Sequence, residues 1–197
     1  MRVPAGKIIG EIPFDEGSSI LLSIPCPEDA KEIMELYNSL SDDYVGSDLH
    51  YKDINNLIER IKVRQREIEK GKYVQFLGWL RGELILSANM RKNKIRSGKD
   101  KGKYCGEIAI IIKKGYRKKG IGGKVMDLFI KKAREMKMVY VFGRFFHENF
   151  DSLVLCKSRK LRIYRVEKNN SIFDKKWKKR YYKWGKAFDR VNARLYL

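Results

Sequence analysis

The stretch EIAIIIKKGYRKKGIGGKV, Glu107 to Val125, limits the fold more than any other part of the chain. Ile108 to Ile112 form an unbroken apolar run, the mark of a strand buried on both faces. From Tyr116 to Val125 the chain then packs three glycines and four basic side chains together. Beyond them Val125, Leu128, Phe129, Ala133 and Met136 recur on one helical face. A buried strand that turns through glycines into an amphipathic helix is the centre of an α/β unit. Bare backbone and positive charge at the turn suit a phosphate-bearing ligand, because main-chain N–H groups and the helix dipole both point at the junction.

The elements around this centre are legible from periodicity. Ser19 to Ile24 reads as a short strand closed by Pro25 and Pro27, followed by a helix with Ala30, Ile33, Met34 and Tyr37 on one stripe. A polar link precedes a second helix, about Asp53 to Lys70, ended by Gly71. KYVQFLGWL and ELILSANM form a hairpin about Arg81-Gly82, and KNKIRSGKDKGK reads as a mobile, solvated loop. After the central helix come a strand, MVYVFGRFF, a helix start at HENFDSLVLCKS, a strand, LRIYRVEK, and a tail mixing aromatics with bases. The expected fold is a mixed, mostly antiparallel sheet flanked by helices. Residues 1–18 read as an N-terminal extension, 19–170 as the main domain, and 171–197 as a basic aromatic segment completing it.

Composition then narrows the function classes. With 43% hydrophobic residues the chain can bury a real core, so disorder is excluded. No apolar run reaches membrane-span length and the N-terminus lacks the apolar centre of a signal peptide, so the expectation is a cytoplasmic protein with no membrane partner. Three scattered cysteines and two distant histidines give neither a disulfide framework nor a metal site. Two glutamines beside abundant Lys, Glu and Ile match the bias of heat-adapted proteins. The net charge of +20 favours anionic partners. Fifteen Lys or Arg against three acids fall in Lys157 to Leu197.

Three phosphate-binding motifs compete for the glycine turn. A Walker A loop needs Ser or Thr after its Gly-Lys pair, where this chain has Val125. A dinucleotide fingerprint built on Gly120 and Gly122 needs a third glycine at that same Val125. What fits is R-x-x-G-x-G, spelled Arg117-Lys118-Lys119-Gly120-Ile121-Gly122. With Ile112 five residues before the Arg, Tyr116 just before it, and Asn149 at the next helix start, the phrase resembles the acyl-CoA signature of the GNAT N-acetyltransferase superfamily. The resemblance runs roughly from Ser19 to Val166. It implies acetyl-CoA as co-substrate, pantetheine pairing along Ile110, Ile111 and Ile112, and phosphate contacts from Arg117 through Lys124, Gly123 included. Asn149 would complete the cofactor contacts.

The chain departs from that family at the chemistry. Where members often carry a Glu five residues before the Asn it has Arg144, and Cys156 stands where a general-acid Tyr is common. Deprotonating an amine and protonating a leaving thiolate still call for titratable groups. Glu107 on the central strand is the candidate base. His147, beside Glu148 at the end of the next strand, has the intrinsic pKa for proton traffic. Cys156 and Tyr164 are candidate donors to the thiolate.

The resemblance implies an amine as acceptor. Asp42, Asp43 and Asp48 suit a polycation, but a chain this basic repels free polycations at long range, which favours a protein N-terminus or lysine. A rival reading comes from the tail, where Trp177, Tyr181, Tyr182 and Trp184 lie among lysines and Arg180. Aromatic faces beside cations stack bases and hold phosphates, so a nucleic acid or ribonucleoprotein is the alternative partner.

Overall fold

The computed structural model describes residues 4–40, 53–146, 149–167 and 190–197. Asp42, Asp43, Asp48, His147, Glu148, Trp177, Tyr181, Tyr182 and Trp184 lie outside them. In chain order the elements are β1 (Ile8–Asp15), β2 (Ser18–Ser23), α1 (Ala30–Asn38), α2 (Ile54–Glu69), β3 (Tyr73–Leu80), β4 (Glu83–Lys94) and β5 (Tyr104–Ile112). Then follow α3 (Ile121–Glu135), β6 (Tyr140–Phe146), α4 (Phe150–Ser158), β7 (Arg162–Glu167) and β8 (Arg190–Tyr196). Short 3-10 turns precede α1 and α3.

The strands form one eight-stranded sheet in the order β1-β2-β3-β4-β5-β6-β8-β7. Among the described residues its pairings are antiparallel except β5 with β6, which run parallel. The parallel pair is the strand–α3–strand unit announced by the opening stretch, and α3 is its crossover. The mixed, mostly antiparallel sheet flanked by helices is therefore as the sequence reading had it.

Each face of the sheet has its own core. On one, Phe129 of α3 stacks on Phe76 with ring centres 5.1 Å apart, over buried Ile85, Met90 and Val141. On the other, Ile33 and Tyr37 of α1 and Leu57 and Ile61 of α2 cover Trp79 and Ile111. Two polar pairs are buried there. The Trp79 indole donates to Ser23 at 3.0 Å, and the Tyr37 and Ser87 hydroxyls meet at 3.0 Å. These pairings avoid the penalty of an unpartnered buried dipole, about 1–3 kcal/mol each.

Two local readings change. The segment before Ser19 supplies β1, an edge strand paired along β2. Only Ile12 of it is buried, and Pro13 interrupts it, so its apolar alternation is faint. The basic stretch after Met90 is structured too: β4 runs on to Lys94, and Ile95 closes a turn by donating to Lys103 O at 2.8 Å and accepting from Gly102 N at 2.9 Å. The Arg81-Gly82 turn holds as expected, with φ of 51° and 83°, the paired left-handed geometry of a two-residue hairpin loop.

Candidate active site

β5 is where the sheet opens. Its register with β6 covers Cys105 to Ile108 against Tyr140 to Gly143. Beyond that, Ala109 to Ile112 continue beside β4 alone, while Arg144 to Phe146 follow β8. The two strands part beyond Ile108 and Gly143, leaving the main-chain edge of β5 from Ala109 onward without a strand partner on that side. Ile110, Ile111 and Ile112 lie on this edge. Ile110 and Ile112 pack towards α3, and Ile111 packs towards α1 and α2.

The turn into α3 is built rigidly. Tyr116 donates its hydroxyl to Glu83, which also takes the Lys113 ammonium, and the Arg117 Nε reaches back to Ile112 O at 2.9 Å. Those two partners, Lys113 first, hold the Glu83 carboxyl below the usual range, and the bond to Glu83 raises the Tyr116 phenol. Gly120 then takes φ 79°, a left-handed position that a side chain would strain. Gly123 N and Lys124 N both donate to Gly120 O, at 3.1 and 3.2 Å. Among the described residues the N–H groups of Gly120, Ile121 and Gly122 meet no protein acceptor. They remain donors at a helix N-terminus, near the Ile112 end of the β5 edge.

The glycines also serve packing. A Cβ on Gly122 would come within 3.3 Å of Leu155, and one on Gly123 within 2.2 Å of the Arg159 guanidinium. Arg159 crosses the start of α3 to hold Asp127 through Nε and Nη2 at 2.9 and 3.0 Å. Two of the three glycines thus leave room for side chains of α4 and its cap. The cations are spread. Lys119 lies 5.5 Å above the Phe14 ring, Lys118 is 3.9 Å from Asp151, and Lys124 donates to Pro13 O at 2.6 Å, drawn towards β1. Asn149 caps α4, accepting from Ser152 N at 3.0 Å.

On the other side of the sheet, under α2, a cavity of about 550 Å³ borders Glu107, Ala109, Asn89, Arg91 and Arg144. Glu107 accepts from Arg144 through both Nε, at 2.8 Å, and Nη2, with a longer contact from Asn93 at 3.4 Å. Arg144, the residue that breaks the family pattern, therefore orients the candidate base. A lone sequence gives no hint of that pairing, since the two stand 37 positions apart on neighbouring strands. Polar residues recurring on one face of β4, Ser87, Asn89, Arg91 and Asn93, were the overlooked signal for this cavity.

Of the remaining sequence candidates, Cys156 and Tyr164 are described, and both lie away from the opening. Cys156 is 4% exposed, packed in the core with α3, and burial lifts its thiol to about 12. Tyr164 stands on β7, with β8 between it and β6, about 10 Å from β6 by strand spacing. The Arg194 guanidinium covers its ring at 4.5 Å. Among the described residues no group of three or more His, Cys, Asp or Glu side chains is placed to hold a metal ion.

The sequence model of the acetyltransferase (GNAT) family matches residues 33–155, from α1 into α4, which includes the opened strand and the glycine turn. The chain belongs to the GNAT acetyltransferase family. It is an N-acetyltransferase of that family, and its fold agrees with solved members. yncA from Salmonella typhimurium, a putative acetyltransferase solved with acetyl-CoA, superposes with TM-score 0.68 at 18% identity, covering 90% of this chain and 94% of that one. RimJ from Mycobacterium smegmatis, in complex with a CoA-disulfide, gives 0.71 at 13% identity over 100% and 90%. A ribosomal-protein-alanine N-acetyltransferase from Brucella melitensis gives 0.67 at 17% identity over 90% and 99%. At such identities the likeness is one of fold. No curated protein matches the chain by sequence.

Proposed function

We propose that this GNAT protein takes acetyl-CoA as donor and transfers the acetyl group to an amine carried by a protein, an N-terminus or a lysine. The observation that carries the donor half is the conjunction of an opened β5 edge with three unpartnered N–H groups at the start of α3. A diphosphate on those donors sets the nucleotide at the helix N-terminus. A pantetheine arm laid along Ala109 to Ile112 pairs like an added strand and delivers the thioester to the parting of β5 and β6. Arg117, Lys118 and Lys119 add charge at the diphosphate end.

In the transfer the amine nitrogen bonds to the thioester carbonyl carbon, the C–S bond breaks with its electron pair leaving on sulfur as the coenzyme A thiolate, which takes a proton from solvent, and the amine proton leaves. Glu107 receives that proton, directly or through one water, with Arg144 fixing its carboxylate. A main-chain N–H of β5 faces the developing oxyanion. Holding both substrates in register supplies much of the remaining rate.

The protein acceptor is supported by the net charge of +20, which repels free polyamines, and by the cavity beside Glu107, which is open to a chain end. One fold relative is by its description a ribosomal-protein-alanine N-acetyltransferase. The test is transfer from radiolabelled acetyl-CoA into host-cell protein extract, alongside polyamine and aminoglycoside acceptors. Label in protein that depends on Glu107 supports the reading, and label confined to small amines overturns it.

A further inference from the structure

The charges around the acceptor cavity are unevenly partnered. Glu107 is satisfied by Arg144, and Glu59, on the rim, by Lys62 at 2.8 Å. Arg91 has no ion-pair partner among the described residues. It sits in register between Tyr73 on β3 and Glu107 on β5, yet the carboxylate turns to Arg144 instead. Arg64 of α2 reaches down over the Tyr73 ring, its guanidinium carbon 5.5 Å from the ring centre. Stacking fixes the plane of that guanidinium and leaves its edge N–H groups to be met by something else. Arg60, Arg64, Arg91 and Arg144 against Glu59, Glu67 and Glu107 leave the cavity lining with one positive charge in excess. Arg91 and Arg64 cannot serve the diphosphate of the donor, because they stand on the α2 face and α3 is on the opposite face.

We propose that Arg91 and Arg64 receive a carboxylate of the acceptor, so that the polypeptide acetylated carries an acidic side chain close to the reacting amine. This rests on the protein-acceptor reading above and narrows it. The spacing sets the separation. Transfer takes place where β5 and β6 part, and Arg91 is on β4, one strand beyond, so amine and carboxylate stand about 5–10 Å apart. An extended peptide advances about 3.3 Å per residue, which puts the acid at the second or third position from an N-terminal amine. Guanidinium forks match carboxylates in two-point contact, and the overall charge steers an acidic chain to the site.

Initial rates at saturating acetyl-CoA test this with three acceptors: a peptide with aspartate and glutamate at its second and third positions, the same peptide with asparagine and glutamine there, and free aspartate. The wild-type protein is expected to favour the acidic peptide about tenfold or more in kcat/KM, mainly through KM, as one charge-assisted contact warrants. Arg91→Gln should bring that ratio close to one, Arg91→Lys should keep part of it, and added salt should shrink it. Arg91 is exposed, so its loss leaves the core intact. Equal use of both peptides by the wild type, or a ratio that survives in Arg91→Gln, overturns the carboxylate proposal alone. Free aspartate outrunning both peptides also overturns it. If neither peptide is acetylated, the protein-acceptor reading falls and takes this proposal with it.

Discussion

The two sides of the opened sheet are made differently. On the α3 side the proposed donor site is backbone: the unpaired edge of β5, the left-handed Gly120, and N–H groups at a helix start that meet no acceptor among the described residues. On the α2 side it is side chains gathered from α2, β4, β5 and β6 around Glu107. A backbone site needs a particular local conformation and so marks itself in a few consecutive residues. A side-chain site assembled across strands leaves no local signature, and its members can change without disturbing the fold. On this proposal, the contrast lets a chain keep a backbone donor site while the side chains across the sheet change.

Substitutions on the two sides should separate these roles. The largest effect is expected from Gly120→Val, which forces a β-branched side chain into φ 79° and displaces the donor groups. Coenzyme A affinity measured by calorimetry should fall about a hundredfold, as lost charge-assisted contacts and backbone strain combine. Gly71→Val sharpens the comparison, because Gly71 has a similar φ of 63° at the far end of α2. It should cost stability and spare coenzyme A affinity. Next in size, Glu107→Gln should lower kcat at least about tenfold near neutral pH while leaving coenzyme A binding intact, the range expected for a lost general base. A rate equal to wild type removes Glu107 from the chemistry.

Smaller effects follow away from both sides. Cys156→Ala should keep kcat within about twofold and cost about 1 kcal/mol of stability, since the thiol is core. With its pKa near 12 it should resist alkylation until the protein unfolds. Glu83→Gln should have the least effect, below about 1 kcal/mol, as its partners are partly solvated. Its sign depends on pH. The folded carboxyl is held below its ordinary value, so its contribution is present above the unfolded pKa of about 4.3 and is lost as pH falls through the folded value. Thermal midpoints of wild type and variant should therefore differ at neutral pH and converge in acid.

How much of this could be read in the sequence follows the same division. The strand–turn–helix centre and both N-terminal helices were legible because long apolar periodicity is a strong signal. β1 was not, because an edge strand with one buried side chain alternates weakly. The placing of β8 between β6 and β7 follows from strand order in space, which periodicity does not encode. In the site, the glycine turn was read only as room for a phosphate, which leaves out its packing. Gly122 and Gly123 equally make room for Leu155 and Arg159 of α4 and its cap. Cys156 was proposed from its offset to Asn149, and an offset cannot reveal that the side chain turns into the core. Glu107 was reached by its place on the central strand, whereas the sharing of one cavity by Arg91 and Arg64 is visible only in three dimensions.

The central claim is that unhindered amides at the start of α3 hold the donor's diphosphate. Amide chemical shifts of Gly120, Ile121 and Gly122, followed by NMR as coenzyme A is added, address it directly. All three should move with saturation, and pantetheine lacking the nucleotide should leave them in place. Coenzyme A binding with those three signals unmoved would contradict the account.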